Sequence, residues 1–311
     1  MQVCCVGEAM AVVAPAQLEP LETASQFIVT SGGAEANVAT YLAQLGHEAA
    51  WVSRLGSDPL GRRVFQDIAS FGVDVSLVEF DESAPTGVYF KDPASQTRSV
   101  YYYRTGSAAS KIGPEFAQRI WEMGPQILHL SGITPAISAS AAELSRVLFD
   151  EAASRGVLRS FDVNYRTALW VPKQAASELS WFIRHSDICF MGLDEAQSLW
   201  GEAQAHRLRE FFPEPATLVV KDHSGALSFH GEDCFSAAAP LRQVKEPVGA
   251  GDAFAAGWLA GALRRMDQQD CLRLGHVLAG FALGSMADHA TIPTWEELQV
   301  LLEAEYSENS D

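Results

Sequence analysis

Val248-Gly249-Ala250-Gly251-Asp252-Ala253-Phe254-Ala255-Ala256-Gly257 is the stretch on which the reading of this chain turns. Two glycines bracket an alanine, an aspartate follows, and Phe254, Ala255, Trp258, Leu259 and Leu263 then recur at helical spacing. Asp252 therefore begins a helix. The small residues ahead of it let bare backbone N–H groups face a ligand, and the first helical turn adds unpaired N–H groups and partial positive charge. The result is an anion hole with one carboxylate beside it, an arrangement suited to phosphoryl transfer to a hydroxyl. The same residues also make a plain helix start in which Asp252 is an ordinary first-turn acid.

Two other phosphate-binding signatures do not fit. A dinucleotide fingerprint fails because Phe254 stands where its third glycine belongs, and no Gly-Lys-Ser/Thr phosphate loop occurs in the chain.

The bulk composition narrows the partners. With 311 residues, 48% of them hydrophobic, the chain can bury one large core. Thirty-nine acids against 22 Lys and Arg give a net charge of −17, which repels nucleic acid and anionic membranes. An anionic substrate would therefore need local arginines and N–H groups to hold it. Five cysteines (Cys4, Cys5, Cys189, Cys234 and Cys271), with no Cys-x-x-Cys among them, argue against a disulfide framework or zinc site and fit a reducing cytoplasm. The N-terminus lacks a basic region before its apolar stretch, and Glu8 follows closely, so no signal peptide is expected. No apolar run is long enough to span a bilayer.

Along the chain, residues 2–6 read as a buried strand ended by Gly7; residues 10–13 continue it or begin a neighbour, and 27–30 form a short strand. A glycine turn at Gly32-Gly33 precedes a helix through Ala39, Leu42 and Leu45. Residues 50–53 read as a strand and 60–71 as a helix. Residues 86–91 and 97–104 form a tyrosine-rich hairpin around Asp92-Pro93-Ala94-Ser95. From about residue 125, strands at 127–130, 158–163, 188–191, 217–221 and 226–229 alternate with helices at 140–155, 175–183 and 194–200. Helical stretches at 252–264, 271–288 and 294–302 finish the chain, and 307–311 reads as a frayed tail. The rhythm predicts an α/β fold, a mostly parallel sheet with helices on both faces. The hairpin does not fit that rhythm and is expected to leave the sheet as a small β lid, formed from about 10–30 and 86–104. No linker or repeat divides residues 1–311.

Four further constellations carry chemistry. In Gly32-Gly33-Ala34-Glu35-Ala36-Asn37, bare glycines permit close approach of a polyol and Asn37 offers a donor and acceptors, or the segment is a turn and capped helix only. In Val100-Tyr101-Tyr102-Tyr103-Arg104, alternation points Tyr102 and Arg104 the same way, and an arginine fork beside a hydroxyl suits a carboxylate. Tyr89 across the turn offers another hydroxyl. Tyr101 and Tyr103 are left for the other face, where they suit a second subunit. Phe161-Asp162-Val163-Asn164-Tyr165-Arg166 ends a strand where ligands bind in open α/β sheets. Arg166 would meet a phosphate or a carboxylate there, and Asp162 and Asn164 cap the loop or touch ligand. In Lys221-Asp222-His223-Ser224-Gly225, a hydrolase triad is rejected because sequence neighbours rarely form one and Ser224 lacks a Gly-x-Ser-x-Gly elbow.

Gly-Ala-Gly-Asp-Ala-Phe at 249–254 resembles the signature of the ribokinase-like (PfkB) carbohydrate kinases. That resemblance, which spans nearly the whole chain, implies a ribokinase-like fold, ATP and Mg2+ as requirements, Asp252 as catalytic base, and Gly249, Ala250 and Gly251 as the anion hole. It implies that Gly33 and Asn37 contact sugar hydroxyls, that Lys221 and Gly225 flank the ATP phosphates and ribose, and that the Asn164 segment lies between substrate and nucleotide. Met191-Gly192-Leu193-Asp194-Glu195 occupies the place of the family's magnesium-linked Asn-x-x-Glu; Glu195 is kept and Gly192 replaces the asparagine. Glu246-Pro247-Val248 replaces the family's Asp-Thr-Thr, which removes the usual basis for a monovalent-cation site. Tyr-Tyr-Arg-x-Gly-Ser-Ala-Ala-Ser at 102–110 and His-Leu-Ser-Gly-Ile-Thr-Pro-Ala at 129–136 are similar to the branch that phosphorylates 2-keto-3-deoxygluconate.

The expected function is thus ATP-dependent phosphorylation of an acid sugar's primary hydroxyl, with Gly33, Asn37, Tyr89, Tyr102, Arg104 and Arg166 binding the sugar. Asp288, at the end of the 271–288 stretch, is a further candidate acceptor. A neutral-sugar kinase would leave two arginines without purpose, and a non-catalytic binding protein would leave Asp252 without one. The expected assembly is a cytoplasmic homodimer formed through the lid.

Overall fold

Strand β1 (Val3–Val6), the first element of the chain, lies inside the larger of two sheets rather than at its edge. The computed structural model describes residues 1–94, 99–242, 244–245 and 247–307. Ser95 and Thr97 of the expected hairpin, Glu246, and residues 308–311 of the expected tail lie outside them. After β1 come β2 (Met10–Pro15), β3 (Phe27–Gly32), α1 (Ala34–Gln44), β4 (Ala49–Gly56), α2 (Pro59–Ser70), β5 (Val78–Asp81), β6 (Val88–Asp92) and β7 (Ser99–Tyr103). The chain continues through α3 (Ala117–Glu122), β8 (Ile127–Ser131), α4 (Thr134–Ile137), α5 (Ala139–Ser154), β9 (Leu158–Asp162), α6 (Pro172–His185), β10 (Ile188–Gly192), α7 (Leu193–Trp200) and α8 (Ala205–Phe211). It ends with β11 (Thr217–Lys221), β12 (Gly225–His230), β13 (Asp233–Ala238), α9 (Ala250–Leu263), α10 (Gln268–Leu283) and α11 (Trp295–Ser307).

Among the described residues the larger sheet has nine strands in the order β13-β12-β11-β10-β9-β8-β1-β4-β5. Pairs from β5 across to β11 are parallel, while β12 and β13 add antiparallel. Strands β8, β10 and β11 are buried on both faces, as their unbroken apolar runs require. Two hydrophobic clusters cover the two faces, one containing Trp51, Phe190 and Trp258, the other Phe149, Phe161 and Phe182. Strands β5 and β13 were not expected: Val78–Asp81 and Asp233–Ala238 are short, half-polar edge strands with no alternation strong enough to read.

The smaller sheet, in the order β3-β2-β6-β7, is formed by the segments expected to make a lid. Residues 10–15 thus leave β1's sheet and begin this one. In the β6–β7 hairpin Tyr89 pairs with Tyr102 and Phe90 with Tyr101, so one face carries Tyr89 and Tyr102 and the other Phe90, Tyr101 and Tyr103.

Helix α9 is apolar all round and buried from Asp252 to Gly261, as befits a helix packed on every side. A Cβ on Gly257 would stand 2.7 Å from the Leu274 carbonyl oxygen and 2.9 Å from Gly275 Cα, so the glycine is what lets α10 lie so close. Among the described residues no helix is long and apolar enough to cross a membrane.

Candidate active site

The carboxyl ends of β1, β9, β10 and β11 and the amino ends of α1 and α9 converge on Asp252. Helix α9 begins two residues earlier than expected, at Ala250, so Asp252 lies in its first turn rather than at its start. Asn37, in the first turn of α1, donates from Nδ2 to Asp252 Oδ2 at 2.8 Å. Asn164 donates from Nδ2 to Oδ1 at 3.2 Å. Asn164 just follows β9 and adopts left-handed backbone, φ 38°, which asparagine tolerates better than most residues. The structure thus brings Asn164, expected between substrate and nucleotide, onto the carboxylate itself. Burial pushes the Asp252 carboxyl up to about 7; the Asn37 bond and Arg166 pull it down, while Asp162 and Asp288 add to the rise. A carboxylate poised there can take a proton near neutral pH.

Before it lies the turn of Gly249 and Gly251. Gly249 caps α9 with φ +88°, a conformation few other residues adopt. The helical ladder starts with Ala253 N–H to the Gly249 carbonyl at 2.9 Å, so the N–H groups of Gly251 and Asp252 precede it. Ala250 N–H turns back to the Pro247 carbonyl at 3.3 Å, which corrects the expectation that it points into the hole. A Cβ on Gly251 would sit 3.7 Å from Lys221 Nζ, so an ammonium stands at the turn.

Lys221 pairs with Asp162 at 3.1 Å. Burial alone would lower its pKa, but Asp162 and Glu195 outweigh that and raise it, so the group stays charged. Glu195 accepts Tyr165 N–H at 2.7 Å on Oε1 and Gly192 N–H at 2.8 Å on Oε2. Burial, then Asp162, holds its carboxyl above the usual range. These contacts cap α7 and fasten the Asn164 loop. Among the described residues no group of three or more His, Cys, Asp or Glu is placed to hold a metal ion. These residues fit a Mg2+ that carries oxygen ligands with it on a nucleotide and takes little from the protein. Gly225 has a packing reason of its own: a Cβ there would collide with the Ala237 carbonyl across β12 and β13.

The opposite wall is built from the smaller sheet and α1. A Cβ on Gly33 would strike the Glu8 carbonyl, and one on Gly32 would strike the Tyr89 hydroxyl and Asp288 carboxylate. Tyr89 and Tyr102 lie ring to ring, centroids 5.3 Å apart. Arg104 Cζ is 6.0 Å from the Tyr102 ring, so the expected alternation holds past the end of β7. Arg104 is ion-paired with Glu8, which also accepts Ser107 Oγ at 2.5 Å. The guanidinium is therefore charge-balanced, with Nε left buried and unpartnered. Arg166 is exposed, and its charge is felt at both Asp252 and Tyr102. Asp288 departs from expectation in two ways. Helix α10 ends at Leu283, so Asp288 lies in the following loop. There its carboxylate already accepts the Tyr89 hydroxyl and pairs with Lys91 at 2.7 Å.

Glu8 and Lys91 were not singled out from the sequence. Glu8 follows the end of a parallel strand, the position at which such sheets bind ligands. Lys91 sits two residues from Tyr89 on one strand face. Both signals were present but unspecific.

Residues 1–295 match the family described as pfkB family carbohydrate kinase. A 2-dehydro-3-deoxygluconokinase of Bacillus subtilis (strain 168) is 30% identical over 307 residues, 96% of this chain and 94% of that one. A 2-dehydro-3-deoxygluconokinase of Thermoproteus tenax is 32% identical over 295 residues, 92% of this chain and 89% of that one. The crystal structure of a 2-dehydro-3-deoxygluconokinase from Thermotoga maritima has TM-score 0.90 at 25% identity, covering 97% of this chain and 98% of that one. Family match, identity across nearly the full length and a shared mostly parallel sheet leave one conclusion: the chain belongs to the pfkB family of carbohydrate kinases.

Proposed function

We propose that the protein phosphorylates 2-keto-3-deoxygluconate (2-dehydro-3-deoxygluconate) at its terminal primary hydroxyl, with ATP as phosphoryl donor. The observation that carries this reading is that Asp252, held by Asn37 and Asn164, lies within electrostatic reach of Arg166 and Tyr102, and Arg104 stands 6.0 Å from the Tyr102 ring. A base and two guanidinium groups there suit a substrate with a hydroxyl to activate and a carboxylate to hold. The names of the relatives support the same substrate class.

Asp252 takes the hydroxyl proton while Asn37 and Asn164 keep its two oxygens in place. The N–H groups of Gly251 and Asp252, with Gly249 shaping the turn and Lys221 beside it, face the charge on the transferring phosphoryl group. Mg2+, when bound with ATP, would neutralise phosphate charge, and Glu195 is the acid of the family motif that would serve it. Gly33, which lets the Glu8–Ala9 backbone pack against the start of α1, presents its own backbone to the sugar. Tyr102, Arg104 through its free Nε, and Arg166 bind the acid end, and Tyr89 and Asp288 form the wall behind it. We infer further that residues 1–311 work as one kinase domain under the lid, that two copies pair through the lid's outer aromatic face, and that five free thiols suit a reducing, cytoplasmic setting.

A coupled assay of ADP release over acid and neutral sugars tests the reading. The expected result is the highest kcat/KM on 2-keto-3-deoxygluconate. An equal or higher value on fructose or ribose overturns it.

A further inference from the structure

We propose that Lys91 is a positioning residue for phosphoryl transfer: through Asp288 it locks lid strand β6 to the segment behind the phosphate-facing glycines, so that seating the lid and aligning the anion hole become one event. The inference deepens the kinase reading and rests on it.

Lys91 is 0% exposed. A lysine is almost never fully buried unless it is paired, because its ammonium loses water that only charged or carbonyl partners replace. Its polar partners both lie on the loop between α10 and α11. Nζ stands 2.7 Å from Asp288 Oδ1 and donates to the Met286 carbonyl at 3.1 Å. Tyr89, two residues earlier on the same face of β6, donates its hydroxyl to Asp288 Oδ2. One lid strand therefore grips both oxygens of a single carboxylate on the body of the protein.

That carboxylate belongs to a residue wedged between the two halves of the site. The Asp288 carboxylate fills the place a side chain on Gly32 would take, next to the α1 wall. Its backbone carbonyl fills the place a side chain on Gly249 would take, at the cap of α9. A lid that shifts must therefore carry Asp288 with it, disturbing Gly249, or leave an ammonium and a carboxylate buried without each other. Both alternatives are costly. The lid thus has one seat, and in that seat the turn that faces the phosphoryl group is braced from behind.

The test uses the full-length protein with Lys91→Met, which keeps length and removes charge, and Lys91→Arg, which keeps charge. In the absence of any substrate, Lys91→Met is expected to speed amide hydrogen exchange at 284–290 and at 88–92 together. In steady state kcat is expected to fall on the order of 10–100-fold, because alignment is lost, with little change in KM for ATP. Lys91→Arg is expected to recover part of both effects. Should Lys91→Met not fold, Asp288→Asn breaks the same ion pair with almost no change of shape, and the exchange measurement decides. Unchanged protection of 284–290 in the folded variant overturns the proposal, as does full wild-type kcat. Wild-type protein inactive on every sugar would instead overturn the kinase reading and the positioning role together, while a wild-type enzyme matched by Lys91→Met overturns the positioning role alone.

Discussion

Asn37 Nδ2 reaches Asp252 Oδ2 at 2.8 Å across 215 residues of sequence, joining the first turns of α1 and α9. The bond does two things. It fixes the carboxylate's rotamer, and as an N–H donor it favours the ionised form that burial opposes. The catalytic proposal depends on this balance, and its direct test is Asp252→Asn, which keeps shape and removes basicity. Turnover should fall on the order of 10²–10⁴ while sugar and nucleotide binding persist. Near-normal turnover of the purified variant would remove Asp252 from the mechanism.

The same balance sets a pH dependence with opposite signs for activity and stability. As the proposed base Asp252 would work ionised, and burial raises its carboxyl to about 7. kcat/KM should therefore fall as pH drops through about 7. For stability, the folded state holds a proton that the unfolded chain releases above its ordinary value of 3.8. This group's contribution is then present at low pH and declines as pH rises through that window. Asp252→Asn should accordingly melt a few degrees above wild type at pH 8. A kcat/KM flat from pH 5 to 8, or a variant that melts lower at pH 8, contradicts the assignment.

Arg104 should govern acid-sugar affinity. Removing its guanidinium deletes charge-assisted bonds of roughly 1.5–3 kcal/mol each, about one to two powers of ten in affinity. Arg104→Ala also strands the buried Glu8 carboxylate, so the variant should lose stability as well. Adding Glu8→Gln should restore the melting temperature but not the affinity for 2-keto-3-deoxygluconate. Equal losses on acid and neutral sugars would confine Arg104 to lid support and pass the carboxylate to Arg166.

The outer face of the lid makes a prediction about assembly. Tyr101, Tyr103 and Phe27 are exposed there at 47%, 67% and 44%, around a groove of about 750 Å³ that Leu21 and Phe90 also line. Exposed apolar surface of this kind marks a partner site. Light scattering at micromolar concentration should report a dimer, and Tyr103→Glu should shift it to monomer. A wild-type monomer would overturn the pairing.

What could be read in advance divides along physical lines. Repeated buried strands such as Ile188–Gly192 and Thr217–Lys221 announce themselves by apolar runs, and Gly249-Ala250-Gly251-Asp252 by residue types few other sites need. Tyr102 and Arg104 share a face because strand alternation is local. The partners of those residues were not legible. Nothing local to Arg104 points to Glu8, 96 residues away, nor does anything near Lys91 point to Met286 and Asp288. Asp288 was misread as helical because the apolar pattern of α10 fades gradually, whereas the helix stops at Leu283. Ion pairs formed by chain crossing leave no periodicity to detect.

The interior place of β1 has a consequence for how the chain matures. Val3 pairs with Ala49 on one side and Ile127 on the other, so this strand stays half-unpaired during synthesis until well over a hundred further residues have followed. Asn37 waits longer still for Asp252. Topologies closed by such distant contacts fold slowly, and the open strand is exposed to aggregation meanwhile. A nascent or prematurely terminated chain lacking α9 would carry the sugar wall and lid without base or anion hole. The proposed catalytic groups thus arrive only after the proposed sugar wall has been made.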